Sequence, residues 1–325
     1  MMLSRRALLA TALLPVTARA QSAPVPITIA VSSNSLAYGG INIALRGGLF
    51  EKQGLLPKVV TMDSGNAAMA AVLSGSAEFT SAGPGEVLAA KLRNQNIVIV
   101  ANIYRGLSGS LVLAKPVAER LGALPSVAAK LKALDGLSIA TPSATSAYTH
   151  PYKGAAEAQG SHPRFVYMAQ PAMVAALQAG AVQGFIAGAP FSTTSVTSGA
   201  GVLWISGPKG ELPARDLPAS SACIETSEAF AAAHPDVVRR MQASFTALAA
   251  FLRDQPAEAQ RLLGLAYPQL DAATLQSVFG DEAPNWARPI MTEADVAQEI
   301  AIQLASGTLK GVASVAPSSI LVPWQ

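Results

Sequence analysis

Short apolar runs alternate with alanine-rich helical patterns along most of this chain, from residue 27 onward. Residues 27–31 have the composition of a strand, and Ile41, Ala44 and Leu45 then mark one face of a helix that stops at Gly47. Strands separated by helices usually pair in parallel, because the helix carries the chain back across the sheet. The alternation therefore predicts an α/β protein whose sheets are mostly parallel and flanked by helices.

The strand and helix pattern is completed once and starts again near residue 111. The second series has predicted strands at residues 111–114, 137–140, 165–168, 182–187 and 202–206. The sequence beyond residue 227 is helical and has no predicted strand, so its helices must pack on an earlier lobe. We therefore predict a discontinuous first lobe (25–106 plus 216–325), a continuous second lobe (107–215), and hinges near residues 104–110 and 206–217.

The first twenty residues have the pattern of an export signal. A short basic start is followed by an apolar run at residues 7–16 and by an A-x-A cleavage site that ends at Ala20. This run is shorter than the roughly 18 to 20 residues of a membrane-spanning helix. The pair Arg5 and Arg6 is similar to a twin-arginine signal, and an ordinary Sec signal is the alternative. We predict removal of residues 1–20 by cleavage after Ala20, no membrane insertion and a periplasmic location.

Charge and cysteine content exclude several classes of protein. Loss of Arg5, Arg6 and Arg19 with the signal lowers the formal net charge from +3 to 0. Without a basic excess or a Lys/Arg cluster, the chain lacks the charge pattern that nucleic-acid binding requires. The single cysteine, Cys223, has no partner for an internal disulfide and lies too far from the signal to carry a lipid anchor.

Several segments resemble one protein family in content and in order. They are GGLFEKQGL at residues 47–55, SGN at 64–66, LSGSAEF at 73–79 before AGP at 82–84, and AALQAGAVQG at 175–184 before AP at 189–190. Together they resemble the solute-binding proteins of ABC transporters of the nitrate/sulfonate/taurine and thiamine-precursor (pyrimidine) type. The resemblance implies a two-lobed periplasmic-binding-protein fold of type II, a ligand cleft between the lobes, and a partnership with the transmembrane subunits of an ABC permease.

Polar turns that lead into helices provide the candidate ligand contacts. In open α/β sheets a ligand lies beyond the carboxyl ends of the strands, where helix N-termini present unpaired N–H groups. For each residue alone, helix capping worth about 1 kcal/mol is the more ordinary role. The first-lobe candidates are Ser33, Asn34, Tyr38, Ser64, Gly65, Asn66, Gly83, Pro84 and Tyr104, and the second-lobe candidates are Ser143, Ala144, Thr145, Ser146, Met168 and Pro190.

These turns predict a ligand that is held by neutral dipoles. None of the turn residues carries a charge, which favours a small organic mono-anion or a polar neutral molecule, such as a sulfonate, a carboxylate or a pyrimidine-like compound. Arg105 could face the cleft, but exposure to solvent is the expectation for an arginine. Among the aromatic residues, Tyr38 and Tyr104 are predicted to contact ligand, Trp204 is predicted to pack near the hinge, and no position follows from the pattern for Trp286.

The sequence favours binding over catalysis. His150, His162 and His234 are isolated, with surface or capping roles expected for the first two, so no metal and no cofactor is predicted. The G-x-S-x-G, phosphate-loop and G-x-G-x-x-G motifs are absent. The resembled family has an enzyme branch that makes a thiamine pyrimidine, but this chain lacks the cysteine-rich motif of that branch. We expect a non-enzymatic monomer, with a ligand-sensing receptor for a membrane sensor as a further alternative.

Overall fold

Two five-stranded sheets, each flanked by helices, form the two lobes of the computed structural model, which describes residues 23–324. The predicted signal peptide and its cleavage site lie outside the described residues. The strands are β1 (Val25–Val31), β2 (Leu55–Thr61), β3 (Phe79–Ser81), β4 (Ile97–Arg105), β5 (Ser110–Ala114), β6 (Ser138–Thr141), β7 (Arg164–Tyr167), β8 (Gly184–Ala187), β9 (Gly201–Ile205) and β10 (Ser220–Ser227).

Helices follow most of the strands, as the alternation predicts. They are α1 (Gly39–Arg46), α2 (Gly65–Leu73), α3 (Pro84–Leu92), α4 (Lys115–Leu121), α5 (Val127–Lys132), α6 (His150–Glu157), α7 (Gln170–Gln178), α8 (Phe191–Thr197), α9 (Glu228–Ala233), α10 (Pro235–Asp254), α11 (Pro256–Ala266), α12 (Ala272–Trp286) and α13 (Glu293–Ala305). Short 3-10 turns lie at Leu36–Tyr38, Glu51–Gln53, Ala214–Asp216, Val312–Ser314 and Pro317–Ile320. Within the described residues, no helix is long and apolar enough to cross a membrane.

The two sheets have the same pattern of strand directions. The first has the order β2-β1-β3-β10-β4 and the second the order β7-β6-β8-β5-β9. Strand β10 runs antiparallel to β3 and β4, and β5 runs antiparallel to β8 and β9, whereas the other pairs are parallel. One strand in each sheet therefore opposes the other four. This confirms the predicted class of two mostly parallel sheets flanked by helices.

Strand β10 is the element that sequence analysis missed. Its residues are mainly serine, threonine and small side chains with one glutamate, and all but the last are buried. A strand buried on both faces has no alternation of polar and apolar residues to reveal it. The chain thus returns from the second lobe by inserting a strand into the first sheet before the helical region begins.

The C-terminal helices cover the first sheet on both faces. Phe245 of α10, Leu263 of α11 and Trp286 of α12 share one apolar core with strand residues such as Ile29. Val296 of α13 packs on the other face with residues of α2 and α3. Burial of large apolar side chains, worth about 1.5–3 kcal/mol each, therefore holds these helices on the first lobe.

The structure shows what surrounds three side chains whose placement the sequence left open. Trp286 is buried, and its indole N–H donates a hydrogen bond of 3.1 Å to the carbonyl of Leu36. Trp204 packs within the second lobe, where its indole N–H donates to the carbonyl of Lys130. Arg105 forms an ion pair of 2.7 Å with Asp295 in the first lobe, with its side chain one-third exposed.

Two chain segments cross between the lobes side by side. The N–H of Gly106 donates to the carbonyl of Ala219 at 3.0 Å. Gly207 lies so close to the other crossing that an added Cβ would stand 2.1 Å from the carbonyl oxygen of Gly109. The crossings therefore touch each other, which confines relative movement of the lobes to a narrow strip of backbone.

Candidate ligand-binding cleft

A small polar cavity lies between the lobes, at the carboxyl ends of their parallel strands. The space within it is about 30 Å³, close to the volume of one water molecule. Its first-lobe lining comprises Ser32, Tyr38, Asp63, Ser64, Gly65, Gly83, Glu86 and Ser221, and its second-lobe lining comprises Pro142, Ser146, Ala147, Tyr148 and Gln170. An organic ligand fits only if the lobes or these side chains move apart.

Capping interactions hold several lining residues in place. The Ser64 hydroxyl accepts a hydrogen bond from the N–H of Ala67 and thereby caps α2. At the start of α3, the carboxyl oxygen Oε2 of Glu86 accepts from the N–H of Gly83 at 3.1 Å. The capping role and the cleft role therefore coincide at these residues, because the helix N-termini point into the cleft.

The structure brings five of the predicted site residues together in the cavity lining. They are Tyr38, Ser64, Gly65, Gly83 and Ser146.

The other ten predicted residues do not line this cavity. Ser33 lies directly behind it, Pro84 is buried as the first residue of α3, and Asn34, Asn66 and Ala144 are exposed. Ser143 and Thr145 are half-buried in the turn before α6, and Met168 packs on the second-lobe core. Tyr104 and Pro190 are buried without lining the cleft, and the Tyr104 hydroxyl accepts a hydrogen bond from Asn285.

Polar contacts join the two lobes around the cavity. The amide of Gln170 donates to the Ser33 hydroxyl at 3.0 Å, and the N–H of Leu36 donates to the carbonyl of Ala189 at 2.6 Å. A chain of hydroxyls continues the contact, because Ser221 donates to Ser108 and Ser108 donates to Tyr148. The lobes are therefore in a closed arrangement.

His150 contributes a buried contact between the lobes. Its Nε2 lies 2.8 Å from Oε1 of Glu299 on α13, and both side chains are fully buried. The amide nitrogen of Gln303 lies 3.0 Å from Nδ1 of His150 and donates to Glu299 at the same distance. The expected surface or capping role of His150 is wrong, because α6 turns this residue toward α13 instead of toward solvent.

Tyrosine hydroxyls occupy the inner part of the cleft. The hydroxyls of Ser32 and Tyr38 are hydrogen-bonded to each other, and burial raises the pKa of Tyr38 well above its ordinary value. Burial likewise raises the pKa of Tyr148 to about 12. Both tyrosines are therefore neutral at ordinary pH and offer an O–H group, which can donate or accept a hydrogen bond.

Glu86 is the main lining residue that sequence analysis missed. Its side chain is buried, and burial raises the pKa of its carboxyl to about 8, with the nearby Glu299 adding to the effect. Glu225 lies behind it with a pKa also raised by burial. One signal was present in the sequence, since a glutamate three residues after Gly83 fits the third position of a helical first turn.

Comparison with known proteins identifies the family. A sequence model of the NMT1-like family matches residues 21–266, which is most of the chain. The chain belongs to the NMT1-like family. No curated protein matches this NMT1-like chain significantly.

Solved structures share the fold of this NMT1-like protein at low sequence identity. The alkanesulfonate-binding protein SsuA from Xanthomonas axonopodis pv. citri has a TM-score of 0.74 at 17% identity, with 93% of this chain and 99% of that chain covered. The ligand-binding component of an ABC-type import system from Staphylococcus aureus has a TM-score of 0.72 at 13% identity, with 92% and 97% covered. The periplasmic nitrate-binding protein NrtA from Synechocystis PCC 6803 has a TM-score of 0.65 at 12% identity, with 92% and 86% covered. The two-lobed periplasmic-binding-protein fold is thereby confirmed.

The raised pKa of Glu86 predicts how the stability of this NMT1-like protein depends on pH. In the folded protein the Glu86 carboxyl holds its proton up to about pH 8, whereas its ordinary pKa is 4.5. Between these values the folded state binds more protons, so the free energy of unfolding falls as pH rises, by up to about 1.4 kcal/mol per pH unit. Glu86→Gln should remove this contribution and gain stability relative to the native protein from pH 5 toward pH 8.

Chemical denaturation at a series of pH values measures this difference. Glu225 and Glu282 also have pKa values raised by burial, so they contribute to the pH dependence of stability in both the native protein and the variant. The contribution of Glu86 is therefore the difference between the two profiles. The exposed carboxyl of Glu119 provides the matched control through Glu119→Gln, which should leave the slope unchanged. Parallel profiles for native protein and Glu86→Gln would contradict the prediction.

Proposed function

We propose that this protein is an extracytoplasmic solute-binding protein of an ABC importer, which captures a small organic ligand by closing its two lobes. One observation carries the proposal: a polar cavity that both lobes line lies at the helix N-termini beside two adjacent chain crossings. Proteins of this fold place ligands at that edge of their sheets. Membership in the NMT1-like family supports the same function.

The lining favours an uncharged polar ligand over the mono-anion that the sequence also allowed. The cleft includes the carboxyl groups of Asp63 and Glu86, and none of its lining residues is lysine, arginine or histidine. An anion would lie beside the carboxyl of Asp63 without a compensating cation. The hydroxyl and amide groups and the protonated carboxyl of Glu86 suit a neutral ligand with both donors and acceptors. The helix N-termini keep a sulfonate or carboxylate within the set of ligands to be tested.

The remaining parts of the proposal concern boundaries, partners and location. We place the first lobe at 25–106 plus 216–325 and the second at 107–215, which agrees with the strands that each sheet contains. The partners are the transmembrane subunits of an ABC permease, the protein acts as a monomer without catalysis, and residues 1–20 direct it to the periplasm by the twin-arginine or the Sec route. The similar import-system component from Staphylococcus aureus supports the permease partnership.

Thermal unfolding of the mature protein tests the proposed function. Sulfonates, small carboxylates, taurine, nitrate, aromatic acids and pyrimidines are added separately, and a true ligand should raise the melting temperature without being consumed. At a hundredfold excess over the dissociation constant, binding stabilises the folded state by about 2.7 kcal/mol. Turnover of a compound with no thermal shift would favour the enzyme alternative and contradict the binding function.

The importer and sensor alternatives differ in the membrane partner. Purified permease complex in proteoliposomes should hydrolyse ATP faster when the ligand-loaded protein is added. Stimulation of a sensor kinase without any effect on a permease would assign the protein to signalling instead.

A further inference from the structure

Three buried carboxyl groups lie close together in the first lobe, where it faces the second. Glu86 of α3, Glu225 of β10 and Glu299 of α13 form this carboxyl cluster, and none of the three is more than 4% exposed. Oε2 of Glu86 accepts a hydrogen bond from the N–H of Gly83, and Oε2 of Glu225 accepts from the N–H of the preceding residue, Ala82. Adjacent backbone groups therefore hold two of the carboxyls side by side.

The carboxyl cluster has little opposite charge to balance it. Glu299 faces His150 of the second lobe, with 2.8 Å between Oε1 and Nε2, and this is the one ion pair that the cluster forms within the described residues. One basic group balances at most one carboxylate, so Glu86 and Glu225 have no cation of their own. A buried carboxylate without a partner is strongly disfavoured, and such a group binds a proton instead.

The other ionisable groups around the carboxyl cluster add no unmatched positive charge. They are the exposed carboxyl of Asp63, the neutral hydroxyls of Tyr38 and Tyr148, and on α13 the carboxylate of Asp295 with its partner Arg105. Burial therefore dominates, and it raises the pKa of Glu86 to about 8 and the pKa of Glu225 well above its ordinary value.

The second lobe supplies part of the cover over Glu86. The turn between β6 and α6 contributes Pro142, Ser146 and Ala147 to the cavity that Glu86 lines. Burial is the largest influence on the pKa of Glu86, and a hydrogen bond from the Ser143 hydroxyl in this turn partly opposes it. Separation of the lobes removes the turn and lets water reach the carboxyl, so the pKa of Glu86 falls back toward its ordinary value of 4.5.

We propose that closing of the lobes takes up a proton at the carboxyl cluster, chiefly at Glu86, so that this protein closes on its ligand more readily in acidic than in alkaline solution. The closed arrangement binds more protons than the open one between the two pKa values of Glu86, so closure becomes less favourable as pH rises through that range. One proton changes the equilibrium by at most about tenfold per pH unit. The inference rests on the lobe movement of the proposed function, but it does not depend on the identity of the ligand.

Pulsed electron resonance between two spin labels measures the equilibrium between open and closed arrangements. Ala67→Cys and Ala172→Cys place the labels at exposed positions in the first turns of α2 and α7, on opposite lobes. The native Cys223 is buried and stays unlabelled. Without any added compound, the ratio of closed to open molecules should fall at least about tenfold from about pH 5.5 to about pH 8.5.

Variants in the doubly labelled protein assign the proton to Glu86. Glu86→Gln removes the titrating group and keeps an oxygen for the N–H of Gly83, so the ratio should change less than about threefold over the same range. Glu119→Gln, the matched control, removes an exposed carboxyl of the second lobe and should keep the native pH dependence. Circular dichroism verifies that each variant is folded.

A variant on the opposite lobe keeps the test independent of substitution at Glu86. Ser143→Ala removes the hydrogen bond that lowers the pKa of Glu86, so the range in which closure depends on pH should extend to higher pH. A shift of this range to lower pH would contradict the proposal. A native ratio that is constant or rises with pH, or a native pH dependence in Glu86→Gln, would overturn it.

These outcomes are separate from those of the thermal screen that tests the proposed function. A compound that raises the melting temperature and binds equally well at about pH 5.5 and about pH 8.5 would leave the binding function in place and overturn the proton uptake. A pH-dependent ratio together with no bound compound in the screen would support the proton uptake and contradict the binding function.

Discussion

Replacing Gly85 with alanine should weaken ligand binding about tenfold to a hundredfold and leave both lobes folded. An added Cβ would stand 2.6 Å from the carbonyl oxygen of Thr145, on the opposite lobe, and 2.5 Å from the amide nitrogen of Gln303. Overpacking of this kind costs about 1–3 kcal/mol, and each 1.4 kcal/mol is a factor of about ten in affinity. The clash with Thr145 burdens the closed arrangement alone, because separation of the lobes removes it. The clash with the Gln303 side chain lies within the first lobe and is present in both arrangements, so it lowers stability without lowering affinity.

Small-angle scattering and calorimetry together measure this effect. The Gly85→Ala protein should have a larger radius of gyration than the native protein, and the compound that raises the native melting temperature should bind more weakly. Gly280→Ala is the matched control, since a Cβ at this helical glycine meets no atom within 4 Å. If Gly85→Ala binds with native affinity and native dimensions, the closed arrangement is not the ligand-bound form.

Replacing Glu299 with alanine should have a comparable or larger effect through the buried contact with His150. Removing one member of a buried, close pair of polar groups costs about 1–3 kcal/mol, because the other group stays buried without its partner. His150 lies on α6 and Glu299 on α13, so the lost contact joins the lobes. We expect ligand affinity to fall by about tenfold to a hundredfold, because opening of the lobes lets water reach His150 and relieves the penalty.

The measurement compares affinity with stability. Calorimetry gives the dissociation constant, and chemical denaturation shows how much of the loss belongs to unfolding. Glu119→Ala removes an exposed carboxyl 4.0 Å from Lys115 and should change neither quantity by more than about 1 kcal/mol. A Glu299→Ala protein that is less stable but binds with native affinity would show that the pair supports folding instead of closure.

The sequence predicted the parts of the fold and site that depend on local pattern. Tyr38, Ser64 and Gly83 follow three strands of the first sheet, and they meet because parallel strands end at one edge of a sheet. Ser146 follows β6 at the corresponding edge of the second sheet. Strand β10 escaped prediction because both of its faces are buried and its partners, β3 and β4, are distant in the chain.

Whether other residues face the opposite lobe depends on how the two lobes lie against each other. Glu86, Gln170 and His150 are all in the first turn of a helix, where sequence indicates capping as readily as binding. Which of them faces the other lobe follows from helix orientation and lobe placement, and neither is encoded in a local pattern. Tyr104 was predicted to contact ligand, but it lies within β4 near the end of the strand, and its hydroxyl contacts Asn285 of α12 instead of lining the cavity.

The position of β10 determines the order in which the molecule is assembled during synthesis. All five strands of the second sheet lie between Ser110 and Ile205, so that sheet is complete in a shorter length of emerging chain. The first sheet has a gap between β3 and β4 until residues 220–227 have been made. A nascent chain that stops before Ser220 would carry one finished lobe and one with unpaired strand edges, which are the sites where incomplete chains aggregate. The lobe that begins first is therefore finished last.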